Sequence, residues 1–175
     1  NLALTAGALE IPVPRGDFEF PIFTALEHIH EADEIVSMTG RHLAVLNPAA
    51  GWVTKMWPAE NFGRLADKLW FDHGLHSVVA VGPGEEELGE RVLSASRSGH
   101  TSVIRPSLKG YFELLKKARI YIGGDTGPMH LAVAAGMPIV GIFGPTEWWR
   151  NGSPDPADVC VERTDIACRV DCHRR

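Results

Sequence analysis

The sequence predicts an α/β fold built on a doubly wound parallel sheet, and three observations carry that expectation. From His42 onward, short apolar runs alternate with segments of helical spacing. The runs are apolar throughout rather than alternating in polarity, as strands covered on both faces must be. Each run ends in a breaker or an unusual loop, where a strand hands over to its crossover helix.

The elements follow in order. His42 to Leu46 is an apolar run stopped by Asn47-Pro48, and reads as a strand. From Pro58 to about Asp72, Phe62, Leu65, Ala66 and Leu69 recur at helical spacing, with Pro58 suited to the first turn. Ser77 to Val81 is a second strand, closed by Gly82-Pro83-Gly84. A helix follows from about Glu85 to Ser96, its first-turn acids favoured by the helix dipole. Thr101 to Ile104 makes a third strand and Gly110 to Ala118 a third helix. Arg119 to Ile122, Pro128 to Ala135 and Pro138 to Phe143 complete the series as strand, helix and strand. Right-handed crossovers then give a Rossmann-like sheet.

Residues 1–41 read differently. Ile11-Pro12-Val13-Pro14-Arg15-Gly16 and Phe20-Pro21 break any regular period, and few apolar residues are available for burial. This segment is expected to be a connector or the remnant of another domain, with the folded domain spanning 42–175. A chain that starts at Asn1 and stops at Arg175 without a helix end is expected to be a fragment of something longer.

The 175 residues suffice for one domain with a proper core. Apolar residues make up 45% and charged residues 22%, as in an ordinary soluble protein. A formal net charge of −5 argues against a non-specific grip on nucleic acid or an anionic membrane, so any anionic ligand must be held by local chemistry. No run is long and apolar enough to span a bilayer, and no signal-peptide pattern opens the chain. Cys160, Cys168 and Cys172 all fall in the last segment, which fits a cytosolic setting better than a disulfide-stapled one.

Ligands of such sheets bind beyond the carboxyl ends of the strands, where four loops gather. In Gly123-Gly124-Asp125-Thr126-Gly127-Pro128-Met129-His130 an apolar strand runs through two glycines into a helix start. The glycines allow close backbone approach, Thr126 suits the N-cap, and Pro128 suits the first turn. Free amides and the positive dipole end then face an anion, with His130 placed to donate to a phosphate oxygen. Asp125 would repel a phosphate, so it is expected to position other groups or to bind a sugar hydroxyl. The loop Asn47 to Pro58 offers Thr54 and Lys55 to the same anion, although it is not a P-loop. In the loop Val81 to Glu86, Glu85 has two readings: an acceptor for both ribose hydroxyls, or an acid serving the helix dipole. The fourth loop offers Thr146 as a hydrogen-bonder and the pair Trp148-Trp149, which must point to different faces. Cys168, Cys172 and His173 raise the question of zinc, but no second Cys-x-x-Cys pair accompanies them and no metal is expected. Ser94, Ser96 and Ser98 are expected to face solvent.

At these residues the chain resembles glycosyltransferase family 9, the ADP-heptose:lipopolysaccharide heptosyltransferases. The motifs run in order from Asn47-Pro48-Ala49-Ala50-Gly51-Trp52, Thr54-Lys55 and Trp57-Pro58 through Gly82-Pro83-Gly84-Glu85. Gly123 to Ala132 and Phe143-Gly144-Pro145-Thr146 follow, and the closing stretch Cys168 to Arg175 ends in Cys-His-Arg-Arg. The resemblance implies a GT-B fold, two Rossmann-like domains across a cleft, of which this sequence matches the C-terminal, donor-binding half. It implies an inverting transfer of heptose from ADP-heptose to a lipopolysaccharide inner-core acceptor, with no cofactor. Thr54 and Lys55 would meet the donor phosphates, Glu85 the ribose, and Asp125 the heptose. Thr126, Gly127 and His130 would hold the diphosphate region, and part of Pro106-Ser107-Leu108 the adenine. The catalytic base, an aspartate, is expected in an N-terminal domain that also meets the lipopolysaccharide or lipid-linked acceptor. The implied setting is cytoplasmic, at the inner face of the inner membrane with peripheral contact. Two other classes remain open: a non-catalytic nucleotide-sugar-binding module, and a GT-B-fold UDP-sugar epimerase.

Overall fold

The computed structural model describes residues 2–13, 21–40 and 42–163. Among these, six strands form one parallel sheet in the order β3-β2-β1-β4-β5-β6. They are β1 (Leu43–Asn47), β2 (His76–Ala80), β3 (Thr101–Ile104), β4 (Ile120–Gly124), β5 (Ile139–Phe143) and β6 (Val159–Glu162). The helices are α1 (Leu2–Leu9), α2 (Leu26–Thr39), α3 (Ala59–His73), α4 (Glu86–Ala95), α5 (Leu108–Leu115), α6 (Gly127–Ala134) and α7 (Trp148–Asn151). The expected doubly wound α/β sheet is therefore what the chain forms.

Uniform apolarity of the strands has a direct structural cause. Successive side chains of a strand point to opposite faces, and here both faces are covered. Leu43 and Val45 of β1 enter a core with Tyr121, Met129 and Leu114, beneath α5 and α6. Ala44 and Leu46 enter a second core with Phe62, Ala66 and Val92, beneath α3 and α4. β1 is central, with Val45 paired to Val78 on one side and to Tyr121 on the other. The first helix to cross, α3, ends at Gly74, whose φ of +66° few other residues adopt cheaply. The Gly74 and Leu75 amides bond back to the Trp70 and Leu69 carbonyls at 2.8 and 3.0 Å, satisfying the helix end.

Three expectations need correction. The segment before His42 does bury apolar side chains: Ala32 and Ile35 of α2 lie in the first core, against α5. Thr24 donates to Glu113 at 2.6 Å and Lys117 pairs with Asp33 at 2.8 Å, fastening that contact at its rim. Ser96 and Ser98 are partly buried rather than solvent-facing. The Ser96 hydroxyl donates to Asp67 of α3 at 2.7 Å, and the Arg97 and Ser98 amides join it at 2.9 Å. A single carboxylate thus pins the end of α4 to α3. Finally, α7 and the edge strand β6 were not anticipated. One is a single turn, and the other leaves Val159 and Val161 half exposed, so neither has the long apolar signature that marks the inner strands. The stretch with Cys168, Cys172 and His173 lies outside the described residues, as do Pro14, Arg15, Gly16 and Phe20.

Candidate functional site

The winding of the chain reverses between β1 and β4. The crossovers to β2 and β3 pack on one face, and those through α5 and α6 on the other. Beyond the carboxyl ends of β1, β2 and β4, at this reversal, a cavity of about 390 Å³ opens. Open α/β sheets bind their ligands at such points because neighbouring loops turn opposite ways and leave a crevice.

The cavity has an apolar wall and a polar end. Ala80, Val81, Pro106 and Leu108 supply flat apolar surface, while Glu85 and the Thr126-Gly127-Pro128 helix start supply polarity. Of the Pro106-Ser107-Leu108 stretch, Pro106 and Leu108 line the space. Ser107 instead caps α5, accepting from the Gly110 amide at 3.0 Å. Its own amide and hydroxyl donate to Glu31 of α2 at 2.7 and 2.5 Å.

Glu85 sits at the N-cap position of α4. Its carboxylate accepts from the Gly82 amide at 2.7 Å, while its own amide donates to the Gly82 carbonyl at 3.2 Å. The turn Gly82–Glu85 is thereby closed from both ends, and it holds a carboxylate at the mouth of the cavity. Both readings of Glu85 are compatible with this position, since it is at once a helix-start acid and a cavity residue.

Thr126 occupies the N-cap position of α6 with extended backbone (φ −146°, ψ 168°), but its hydroxyl does not cap the helix. It donates over long distances to Asn47 Oδ1 (3.3 Å) and the Gly124 carbonyl (3.4 Å). Asn47, buried at the end of β1, also donates to the Ala80 carbonyl at 3.3 Å and so ties β1, β2 and the α6 start together. The first of the two glycines before Thr126 has a packing reason of its own. A side chain at Gly123 would collide with the Tyr121 phenol, and one at Gly124 would come within 3.4 Å of the Lys55 carbonyl. The smallness of Gly123 serves the protein's own packing.

Beside the cavity, Asp125 gathers a charged cluster. Lys55, at the end of the 3-10 turn Val53–Lys55, places its ammonium 2.7 Å from Asp125 Oδ2 and 4.8 Å from the centre of the Trp52 ring. Asn151 of α7 donates to the same oxygen at 3.3 Å, and His130 Nε2 stands 3.8 Å from Oδ1. The Asp125 carboxylate is therefore neutralised from within the protein, while the His130 side chain is about half exposed. Thr54, in the same turn as Lys55, is exposed, and its carbonyl packs close to Gly144.

Of the expected site residues, Glu85, Thr126 and Gly127 thus line the cavity, and Lys55, Asp125 and His130 form the cluster next to it. Asn47 and Asn151 were missed as site residues. The signal for Asn47 was present, since a polar side chain closing a fully apolar strand must find buried partners. Of the tryptophan pair, Trp148 packs edge-on against Phe143 (centroids 5.1 Å apart) and Trp149 is 80% exposed. The Thr146 hydroxyl is buried without a hydrogen-bond partner. Among the described residues, no cluster of three or more His, Cys, Asp or Glu is arranged to hold a metal ion.

A doubly wound parallel sheet with a cavity at its reversal is a Rossmann-like fold, and it matches the structures of GT-B glycosyltransferases. Two solved structures carry the comparison. A glycosyl transferase family 9 protein from Veillonella parvula DSM 2008 superposes on 91% of this chain and 47% of its own, with a TM-score of 0.79 at 24% identity. The E. coli heptosyltransferase WaaC with ADP-2-deoxy-2-fluoro heptose superposes on 90% of this chain and 46% of its own, with a TM-score of 0.65 at 26% identity.

Residues 1–174 match the family described as glycosyltransferase family 9 (heptosyltransferase), and the chain belongs to that family. It is 29% identical over 171 residues to lipopolysaccharide heptosyltransferase 1 of Pseudomonas aeruginosa, a match spanning 92% of this chain and 46% of that protein. The chain spans less than half the length of this relative.

Proposed function

We propose that this chain is the donor-binding half of an inverting transferase that moves heptose from ADP-heptose to a lipopolysaccharide inner-core acceptor. One observation carries the reading: an apolar-walled cavity with a carboxylate at its mouth runs up to a helix start, and a lysine and a histidine flank that helix start. A nucleoside diphosphate needs such a sequence of surfaces, apolar for the base, acidic for the ribose, and cationic or amide-rich for the phosphates. The relative solved with an ADP-sugar analogue, 26% identical to this chain, supports the same reading.

In this proposal Pro106 and Leu108 flank the adenine and Glu85 accepts from the ribose hydroxyls. Thr54, Lys55, Thr126, Gly127 and His130 hold the diphosphate, and Asp125 meets the heptose. The acceptor hydroxyl, deprotonated by an aspartate of an N-terminal acceptor domain, attacks the anomeric carbon while ADP departs. Negative charge grows on the leaving diphosphate, so fixed donors at the α6 start lower the barrier without reorganising. Residues 42–175 form the donor domain, and 1–41, whose α2 packs into that domain's core, connect it to the acceptor domain. Among the described residues no helix is long and apolar enough to cross a membrane. The proposed working place is the cytoplasmic face of the inner membrane, where a lipopolysaccharide acceptor is met by peripheral contact.

Isothermal titration of this chain with ADP, UDP and GDP tests the proposal. An ADP preference of tenfold or more, about 1.4 kcal/mol, is the expected result. Failure to bind any of the three overturns it.

A further inference from the structure

α7 is a single turn, and the donor-site reading gives its side chains no task. Its position is nevertheless fixed from beneath. The Trp148 indole fills the space that side chains at Gly141 and Gly152 would need, and it packs edge-on against Phe143 at 5.1 Å. The Arg150 and Asn151 amides donate to the Glu147 carbonyl at 3.2 and 3.0 Å, and the Gly152 amide donates to the Trp148 carbonyl at 2.7 Å. With the turn closed and its tryptophan held against β5, Asn151 is presented to Asp125 at the end of β4.

What Asn151 does there follows from the two oxygens of the carboxylate. Oδ2 receives Lys55 Nζ at 2.7 Å and Asn151 Nδ2 at 3.3 Å, and the same ammonium reaches the Asp125 carbonyl at 3.4 Å. Two donors fill the lone pairs of Oδ2 and leave those of Oδ1. Among the described residues no hydrogen bond reaches Oδ1. That oxygen lies toward His130, whose Nε2 is 3.8 Å away on a side chain about half exposed. Lysine alone would not set this arrangement, because its ammonium is a point charge on a flexible stem and follows the carboxylate as χ2 turns. The Asn151 amide is directional and comes from a different element, so the two donors together fix the rotation of the carboxylate.

Resting on the donor-site reading above, in which Asp125 meets the sugar, we infer that Asn151 is a positioning residue for that carboxylate. Together with Lys55 it holds Oδ2, so that Oδ1 stays turned toward the nucleotide sugar and accepts from a hydroxyl of the sugar ring. Asn151 touches no part of the ligand. The direction of the accepting oxygen is set before the ligand arrives, which spares an ordering cost on binding. Base and phosphates are held by other groups, so the effect of Asn151 is confined to the sugar.

The test is Asn151→Leu, close in shape but without a donor, titrated with ADP and with ADP-heptose beside the wild-type chain. Wild type is expected to bind ADP-heptose more tightly than ADP. Asn151→Leu should lose about three- to tenfold for ADP-heptose, the scale of one hydrogen bond, with ADP affinity kept within about twofold. An equal fall for both ligands marks a merely structural role and overturns the inference, as does unchanged ADP-heptose affinity. Asn151→Asp keeps the shape and turns the donor into a second carboxylate, so it should abolish the preference for the sugar; a preference retained there also overturns the inference. Asp125→Asn removes the preference by itself, and adding Asn151→Leu to it costs nothing further. A full additional loss in that background shows that Asn151 does not act through Asp125. Wild type that binds ADP and ADP-heptose equally overturns this inference alone, whereas wild type that binds neither overturns the donor-site reading and this inference with it.

Discussion

The Lys55 ammonium lies 2.7 Å from Oδ2 of Asp125, with their side chains only 16% and 8% exposed. The cation proposed for the diphosphate is therefore already paired before a ligand arrives, and the pair is largely screened from water. Removing one partner of such a pair leaves the other charge in a poor environment, whereas removing both does not. Lys55→Met is expected to destabilise the fold by about 1–3 kcal/mol, with Asp125→Asn added to it restoring part of the loss. Urea unfolding of the two single variants and the double variant measures the coupling, and strictly additive losses contradict it. The same Lys55→Met change should weaken ADP binding by roughly tenfold or more, the scale of a hydrogen bond to a charged group.

Glu85 offers a cleaner test of ligand chemistry, because its backbone role and its ligand role separate. Its carboxylate closes the Gly82 turn, a bond that the side-chain oxygen of glutamine also makes. Glu85→Gln should therefore leave Tm nearly unchanged, but it weakens a bidentate grip on ribose hydroxyls. Wild-type protein is expected to prefer ADP over 2′-deoxy-ADP by roughly tenfold, about 1.4 kcal/mol, and Glu85→Gln to lose most of that preference. Equal discrimination in both proteins assigns Glu85 to the helix start alone.

The inner strands and their helices were legible in the sequence because burial on both faces leaves an unmistakable pattern. β1 is apolar at every position up to Asn47, and the reason is visible in Leu43 and Val45 facing one core while Ala44 and Leu46 face the other. α2 was hidden for the opposite reason. It buries only Ala32 and Ile35, its remaining surface is rich in His and Glu, and the prolines before it suggested irregular chain. The loops of the site were legible as loops, but their internal wiring was not. Nothing in Gly123-Gly124 says that the Tyr121 phenol fills the first gap, or that the Lys55 carbonyl closes on the second. Those facts depend on contacts between distant elements, which no local spacing records. Asn151 of α7 likewise reaches Asp125, at the end of β4, from a distant part of the chain.

α2 also reaches the proposed base pocket. Glu31 accepts from the Ser107 amide and hydroxyl, and so holds the start of α5, whose Leu108 and Tyr111 face the cavity. Loss of a capping interaction at a helix start costs about 1 kcal/mol. Glu31→Ala is expected to lower stability by that amount and to weaken ADP by roughly two- to fivefold, about 0.4–1 kcal/mol, through the displaced pocket wall. Hydrogen exchange at the Ser107 and Gly110 amides should rise in the same variant. Unchanged exchange there contradicts the role given to Glu31.

At the opposite end of the sheet, His76 governs how stability responds to acid. Its imidazole Nε2 lies 3.0 Å from the Ser102 hydroxyl. Edge-on to it, 6.0 Å away, stands His100, itself stacked on Trp70 at 3.3 Å. Burial, and then the His100 charge, hold His76 below its ordinary value of 6.5. Between the folded value and 6.5 the unfolded chain binds more protons than the folded one, so stability rises with pH across that window. The contribution is fully present above about pH 6.5 and is lost as the pH falls through the folded value. His76→Gln removes the titrating group and should flatten the slope of unfolding free energy between about pH 5 and 7. Below that window the carboxylates take over with the same sign. Burial raises Asp67, but bonds from Ser96, Ser98 and the Arg97 amide outweigh it, while Lys116 and then Thr24 hold Glu113 low. Urea titrations of wild type and His76→Gln at half-unit pH steps separate the two regimes. If both proteins show the same slope near pH 6, another group is responsible for the acid sensitivity there.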